Sequence, residues 1–389
     1  MNCLTLVQGE NQVMEMILES WSLIVILLSA FVIGWAAETA QTFMSRALAF
    51  SILAWLQTLP EFAVEANIAW RQERTLMIAN LTGSLRLITG LGLPMIFFVH
   101  FFFQGVRSKK FIRAIQLDEQ DFLSVLTVFI SIVYFIFIWA KSSLTVYDSI
   151  ALFAIYGIYL WLLKSFPAHD EEDVEDLPWV GKQLIKLAPV PKVIGTTTLF
   201  IVGGAALYFS VHPFVDTLQK WALKFGIPSF IFIQWVAPFL SEFPEKVSAF
   251  NWARQKTKAP MAVMNMVGSN INQWTMLAGM IPIVFNLSLG HYEPVFLDAD
   301  HRAEVFLTIV QSLLVGMLLL DLEFSIGDAA IVFVLWFVQF VFSSTREVIT
   351  YLYLLWIALE LVKYFIHFMK VKELPKAIMI AKQKYGTPR

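Results

Sequence analysis

Two carboxylates set the chemistry of this chain. Glu61 and Glu245 each follow a proline, as Pro60-Glu61 and Pro244-Glu245, and each lies inside a long apolar run. A carboxylate at membrane depth is costly and marks a functional position by default. Proline lacks an N–H and breaks the helical ladder, releasing carbonyl oxygens about one turn earlier. Those carbonyls fall near Ala54 to Gln57 and Pro238 to Ser241. A second carboxylate accompanies each of the two: Glu65 lies four residues after Glu61 and Glu242 three before Glu245, on the same helix face. Downstream of each pair comes Asn-x-x-Gly-Ser, giving Asn80, Gly83 and Ser84, then Asn265, Gly268 and Ser269. The glycines are expected to allow close backbone approach. Carboxylate, hydroxyl, amide and carbonyl oxygens together form the ligand set that hard cations such as Ca²⁺ and Na⁺ prefer.

The elements that must hold these groups are the same twice over. Each stretch is an apolar helix with Pro-Glu, a basic turn, and a second apolar helix with Asn-x-x-Gly-Ser. Duplicated helices of this kind are the pattern of a transporter whose site lies where internal repeats meet. Two positive groups oppose the acids. Arg86 is expected about 15 Å into its helix, as a partner for Glu65 or as a tethered cation. Lys246 follows Glu245 but points away from it and is expected to snorkel. Glu61, Glu65, Glu242 and Glu245 less Arg86 and Lys246 leave a formal −2, which suits one divalent or two monovalent ions. Asn80 and Asn265 could instead be polar glue between helices. Asp148 and Asp328 are expected as helix N-caps.

Composition places the chain in a membrane. Of 389 residues, 58 % are hydrophobic and only 15 % charged, with a mean hydropathy of +0.67. A net charge of −2 gives no basic field for nucleic acid. The one cysteine, Cys3, excludes an intramolecular disulfide and a cysteine metal site. Eleven spans are expected, at 21–42, 45–70, 76–103, 122–140, 145–166, 193–212, 227–253, 259–285, 303–320, 325–342 and 348–368. The fold class is thus an all-α polytopic membrane protein with two inverted five-helix repeats and an extra C-terminal helix. The repeats occupy 1–166 and 193–343, joined by an acidic cytosolic linker at 167–192, and 344–389 holds the extra span and a basic tail. Five spans per half force the second half to enter upside down. The Lys/Arg bias of the turns after spans 3 and 7 and of the tail puts the N-terminus outside and the C-terminus in the cytosol of a cytoplasmic membrane. Arg71 and Arg74 run against that bias.

These residues resemble the α-repeats of the sodium/calcium exchanger family, within the calcium:cation antiporters. The resemblance rests on the two Pro-Glu motifs, on Gly226-Ile227 before the second helix, and on Gly268-Ser269-Asn270-Ile271. It implies that Glu61 and Glu245 are the central metal ligands. It adds Thr58, Ser84 and Ser269 as hydroxyl ligands, with Gln57 and Ser241 one position before the Pro-Glu ligand position. The chain departs from the family pattern in three places. An Asn/Asp position is Ile88 in the first repeat and Gln273 in the second, a ligand serine is replaced by Glu242, and Arg86 stands where the family is apolar. Glu242 is therefore expected as a third metal ligand that replaces the charge missing at Gln273.

The expected function is secondary active antiport of Ca²⁺, or a related divalent cation, against Na⁺ or H⁺ by alternating access, with no resident cofactor. The partners are inorganic cations and the lipid bilayer, and no nucleic acid. The alternative is a degenerate exchanger-fold protein that handles a different cation or binds ions without exchange. A hydrolase would need a Ser-His pair or facing aspartates at membrane depth, and the spans offer neither. A channel fits paired broken helices less well than a closed central site does.

Overall fold

The computed structural model describes residues 20–41, 58–105, 111–163 and 179–370. Helix α1 is Trp21–Gln41, α2 Leu59–Trp70 and α3 Arg74–Leu87. A π turn over Ile88–Gly92 carries α3 into α4, Leu93–His100. Strand β1, Ala114–Gln116, precedes α5, Phe122–Lys141, and β2, Ser143–Leu144, precedes α6, Val146–Leu163. A short α7, Trp179–Ile185, leads to the long α8, Pro189–Phe225. Then come α9 Ser229–Ser241, α10 Phe243–Ala253 and α11 Ala259–Asn272. A second π turn, Gln273–Leu277, joins α11 to α12, Ala278–Leu289. Strand β3, Val295–Phe296, precedes α13, Ala299–Leu318. Strand β4, Glu323–Ser325, precedes α14, Ile326–Val341, and α15 is Arg346–Lys370.

Among the described residues, seven helical stretches are long and apolar enough to cross a membrane alone: Trp21–Ala40, Arg74–Gly105, Phe122–Lys141, Val146–Leu163, Pro189–Phe225, Ala299–Leu318 and Ser343–Phe365. The last is the extra C-terminal helix. Large apolar side chains such as Ile201, Phe209 and Leu355 face outward from α8 and α15, as lipid contact requires. Glu61, Glu65, Glu242, Glu245, Asn80 and Gln273 are turned inward instead.

Two expectations about helix ends need correction. The sixth span was expected to stop at residue 212, before Pro213, but α8 runs through that proline to Phe225. The helix continues through the proline where α8 lies along α1, and one turn later Thr217 Oγ1 donates to the Pro213 carbonyl at 2.8 Å. The seventh span was expected as one kinked helix over 227–253. It is two helices, because Glu242 leaves helical geometry (φ −96, ψ 3) and Pro244 opens the first turn of α10. A proline there loses nothing, since the first N–H groups of a helix lack partners. Pro60 occupies the same place at the start of α2. The Pro238 carbonyl, expected to be free, accepts the Glu242 N–H at 3.0 Å. Ala54, Gln57, Cys3 and residues 167–178 of the linker, with its acidic run, lie outside the described residues.

The contacts of the two halves correspond. The strand before α5 pairs antiparallel with the strand before α14, with Ile115 opposite Phe324. The strand before α13 pairs with the strand before α6, with Ser143 opposite Phe296. Exchanging the halves turns one pairing into the other. The packing of α2 on α12 is likewise exchanged with that of α10 on α4. The π turns open at Ile88 and Gln273, four residues after Ser84 and Ser269 respectively. The paired glycines do not behave alike. A Cβ on Gly83 would meet the Gln234 carbonyl oxygen at 1.8 Å, so α3 and α9 touch backbone to backbone. A Cβ on Gly268 would meet nothing within 4 Å, so the close approach expected there is absent.

Asp148 and Asp328 are not the N-caps but the third residues of matching capping motifs. Thr145 N and Oγ1 donate to Asp148 Oδ2, both at 2.7 Å, and Ser325 N and Oγ donate to Asp328 Oδ2 at 2.8 and 2.6 Å. Arg71 and Arg74 are neutralised locally, Arg71 by Asp216 at 2.5 Å and Arg74 by Glu293.

Candidate cation site

The helix breaks place the acids. Glu61 sits in the first turn of α2 and Glu245 in the first turn of α10, where unpaired N–H groups and the helix dipole favour an anion. Thr58 and Glu242 are the corresponding N-cap residues. The second π turn carries Gln273 to Glu61 and Glu242, a placement common at functional sites.

Glu61 and Glu242, from opposite halves of the chain, meet on shared donors. Ser84 Oγ lies within hydrogen-bond reach of both carboxylates, although its one proton serves only one at a time. The Gln273 amide donates to Glu61 Oε2 and to Glu242 Oε1, each at 3.1 Å. Glu245 stands beside this pair, with Ser269 Oγ and Asn265 Nδ2 (3.2 Å) both donating to its Oε1. Asn272 Nδ2 donates to Thr58 Oγ1 at 2.7 Å and so ties the first N-cap to α11. Asn272 was not expected from sequence; its spacing from Ser269 carried no signal apart from the amide itself. Ser241 Oγ is turned back onto the Ala237 carbonyl at 3.0 Å. Glu65 lies one turn beyond Glu61 and accepts from Asn80 Nδ2 at 2.7 Å. The buried oxygens Glu65 Oε1, Asn80 Oδ1 and Gln273 Oε1 carry no hydrogen bond. Among the described residues no three acidic, histidine or cysteine side chains converge as a ready metal cage. Glu61, Glu242 and Glu245 thus stand as a pair and a neighbour.

The cationic groups are placed differently from the expectation. Lys246 does not snorkel. Its Nζ lies 2.5 Å from Glu242 Oε2, with 5 % of the lysine side chain exposed, because residue 246 is one helical turn after residue 242. Arg86 pairs neither with Glu65 nor with the other site acids. Two residues after Ser84, it points across α3 to a separate buried network. There it reaches Glu304 Oε2 at 2.6 Å and Gln339 Oε1 at 3.1 Å, and lies 5.1 Å over the Trp235 ring. Glu304 also pairs with Arg346 of α15 and accepts from Gln234 Nε2 at 3.1 Å. Arg86 therefore has its own counter-ion, and the fixed cation beside the site acids is Lys246.

The family model described as sodium/calcium exchanger protein matches residues 17–164 and 195–345. Among solved structures, the crystal structure of the H⁺/Ca²⁺ exchanger CAX is similar at 28 % identity with a TM-score of 0.83, covering 95 % of this chain and 91 % of that one. YfkE is similar in fold at 16 % identity with a TM-score of 0.60, covering 84 % of this chain and 91 % of that one. The sodium-calcium exchanger NCX_Mj is similar in fold at 17 % identity with a TM-score of 0.53, covering 82 % of this chain and 94 % of that one. No curated protein sequence matches the chain at a significant level. With two matches that span most of the sequence, the chain belongs to the sodium/calcium exchanger protein family.

Proposed function

We propose that the chain is a secondary active antiporter that exchanges Ca²⁺, or a related divalent cation, for H⁺ or Na⁺ at the Glu61–Glu242–Glu245 cluster. The observation that carries this reading is the meeting of Glu61 and Glu242, from opposite halves, on one serine and one glutamine. Two carboxylates held together by neutral donors repel each other, and a cation or protons relieve that repulsion. Either a divalent ion or monovalent cations can do so, but not both at once. That competition couples the two fluxes. The likeness to an H⁺/Ca²⁺ exchanger favours protons as the coupling ion. Thr58, Ser84, Ser269, Asn80, Asn265, Gln273 and, after rotation of its hydroxyl, Ser241 complete the oxygen set, while Lys246 offsets one carboxylate charge.

The two halves, 1–166 and 193–343, would act as inverted repeats that rock about the site, with 344–389 outside them. The exchanged strand and helix pairings support that arrangement. A cytoplasmic membrane with the N-terminus outside and the C-terminus in the cytosol fits the Lys/Arg bias.

The test is uptake of radiolabelled Ca²⁺ into proteoliposomes under an outward H⁺ gradient and, separately, an outward Na⁺ gradient, with Glu245→Gln as control. Uptake driven by one gradient and lost in the variant is the expected result. Folded protein that moves no Ca²⁺ under either gradient would overturn the reading.

A further inference from the structure

Glu38 has no part in the cluster described above, yet it is buried near the end of α1 with 6 % of its surface exposed. Among the described residues no lysine, arginine or histidine pairs with it. Its one hydrogen bond among the described residues comes from Ser248 Oγ, 2.9 Å from Oε1. A carboxylate in a membrane helix held by a single hydroxyl is costly, and such groups line ion pathways. Glu38 faces a cavity of about 150 Å³ between α1 and α10, and Glu245 lines the same cavity from the other helix. Ser241, Ser248, Asn251 and Gln255 add further side-chain oxygens to its wall. Both donors to Glu245 take its Oε1, so Oε2 has no donor among the described residues.

We propose that this cavity is a second cation station, in which Glu38 holds a hard divalent cation and passes it to Glu245. The proposal rests on the antiport reading, since the cation is the transported one. The chemistry is that of an oxygen cage: a carboxylate from each side, two serine hydroxyls and the Asn251 amide oxygen, with room for retained water. Such a set suits Ca²⁺, which accepts six to eight oxygens in flexible geometry. Glu245 belongs to both stations, so a cation at Glu38 needs no new ligand type to move on. Ser248 stands three residues after Glu245 on α10 and orients Glu38 toward the shared space.

Two measurements test this. Trp35 and Trp252 line the cavity and can sensitise Tb³⁺, a luminescent Ca²⁺ mimic. In a Glu61→Gln background, where the central pair is broken, Trp-sensitised Tb³⁺ emission is expected to persist, to be displaced by Ca²⁺ and to weaken in Trp35→Phe. Adding Glu38→Gln is expected to lower the apparent Tb³⁺ affinity by about tenfold or more, the size of effect seen when a supporting ligand is lost. In proteoliposomes Glu38→Gln should raise the apparent KM for Ca²⁺ far more than it lowers the maximal rate, and Glu38→Asp should restore part of it. Should Glu38→Gln fail to fold, Ser248→Ala and Glu38→Asp carry the same titration. An unchanged Tb³⁺ titration and KM, in protein that exchanges normally, would overturn the station but leave the antiporter. Wild-type protein that shows the Glu38-dependent Tb³⁺ signal but no exchange would do the reverse.

Discussion

Replacing Lys246 by methionine should change the number of ions exchanged. Glu61, Glu242 and Glu245 against Lys246 give the cluster a formal charge of −2, since Arg86 is neutralised by Glu304 outside it. One divalent ion or two monovalent ions then balance the site, and the exchange cycle carries no net charge. The variant leaves −3 and removes the ammonium 2.5 Å from Glu242 Oε2. Breaking a buried pair costs about 3–5 kcal/mol, so Glu242 should favour a replacement cation by about a hundredfold or more. A third monovalent ion would then move in each cycle, and one uncompensated charge would cross the membrane. That charge is worth about 2.3 kcal/mol per 100 mV. The assay is Ca²⁺ exchange in proteoliposomes at potentials set by a K⁺ gradient and valinomycin. Wild-type exchange should ignore the potential, and Lys246→Met exchange should follow it. Potential-dependent wild-type exchange, or a folded Lys246→Met protein indifferent to potential, would refute the count.

Two further outcomes follow from the geometry. Arg86→Ala should leave the coupling ratio unchanged, because Arg86 does not touch the site acids, but should lower stability by about 1–3 kcal/mol, since Glu304 loses one buried partner and keeps Arg346 and Gln234; thermal unfolding in detergent, read beside flux, checks both. Gly83→Ala should destabilise the protein and impair transport, because its methyl group would meet the Gln234 carbonyl, whereas Gly268→Ala should be nearly silent, since it meets open space; parallel melting curves decide.

The sequence by itself determined the class of the protein, its apolar helices and the acids that the fold turns inward. A run of apolar residues long enough to span a bilayer can do little else, and a carboxylate within it is too costly to be incidental. The duplication of Pro-Glu and Asn-x-x-Gly-Ser made two positions visible as one feature, which is why Glu61, Glu245, Ser84 and Ser269 were all legible. Helix breaks were legible as prolines but not as full interruptions, because the backbone at Glu242 depends on what packs around it.

Tertiary structure decided which charges face each other. Sequence spacing fixes neighbours within one helix, as for Glu242 and Lys246, but carries nothing about which side of α3 meets α13. Arg86 found Glu304, 218 residues away, and not the carboxylate expected from its depth. Glu38 is a carboxylate inside the first expected span but belongs to no duplicated motif, and only the packing of α1 on α10 brings it to the cavity of Glu245. The paired glycines read alike in sequence and differ in space, because close approach is a property of two helices and a residue records only one of them.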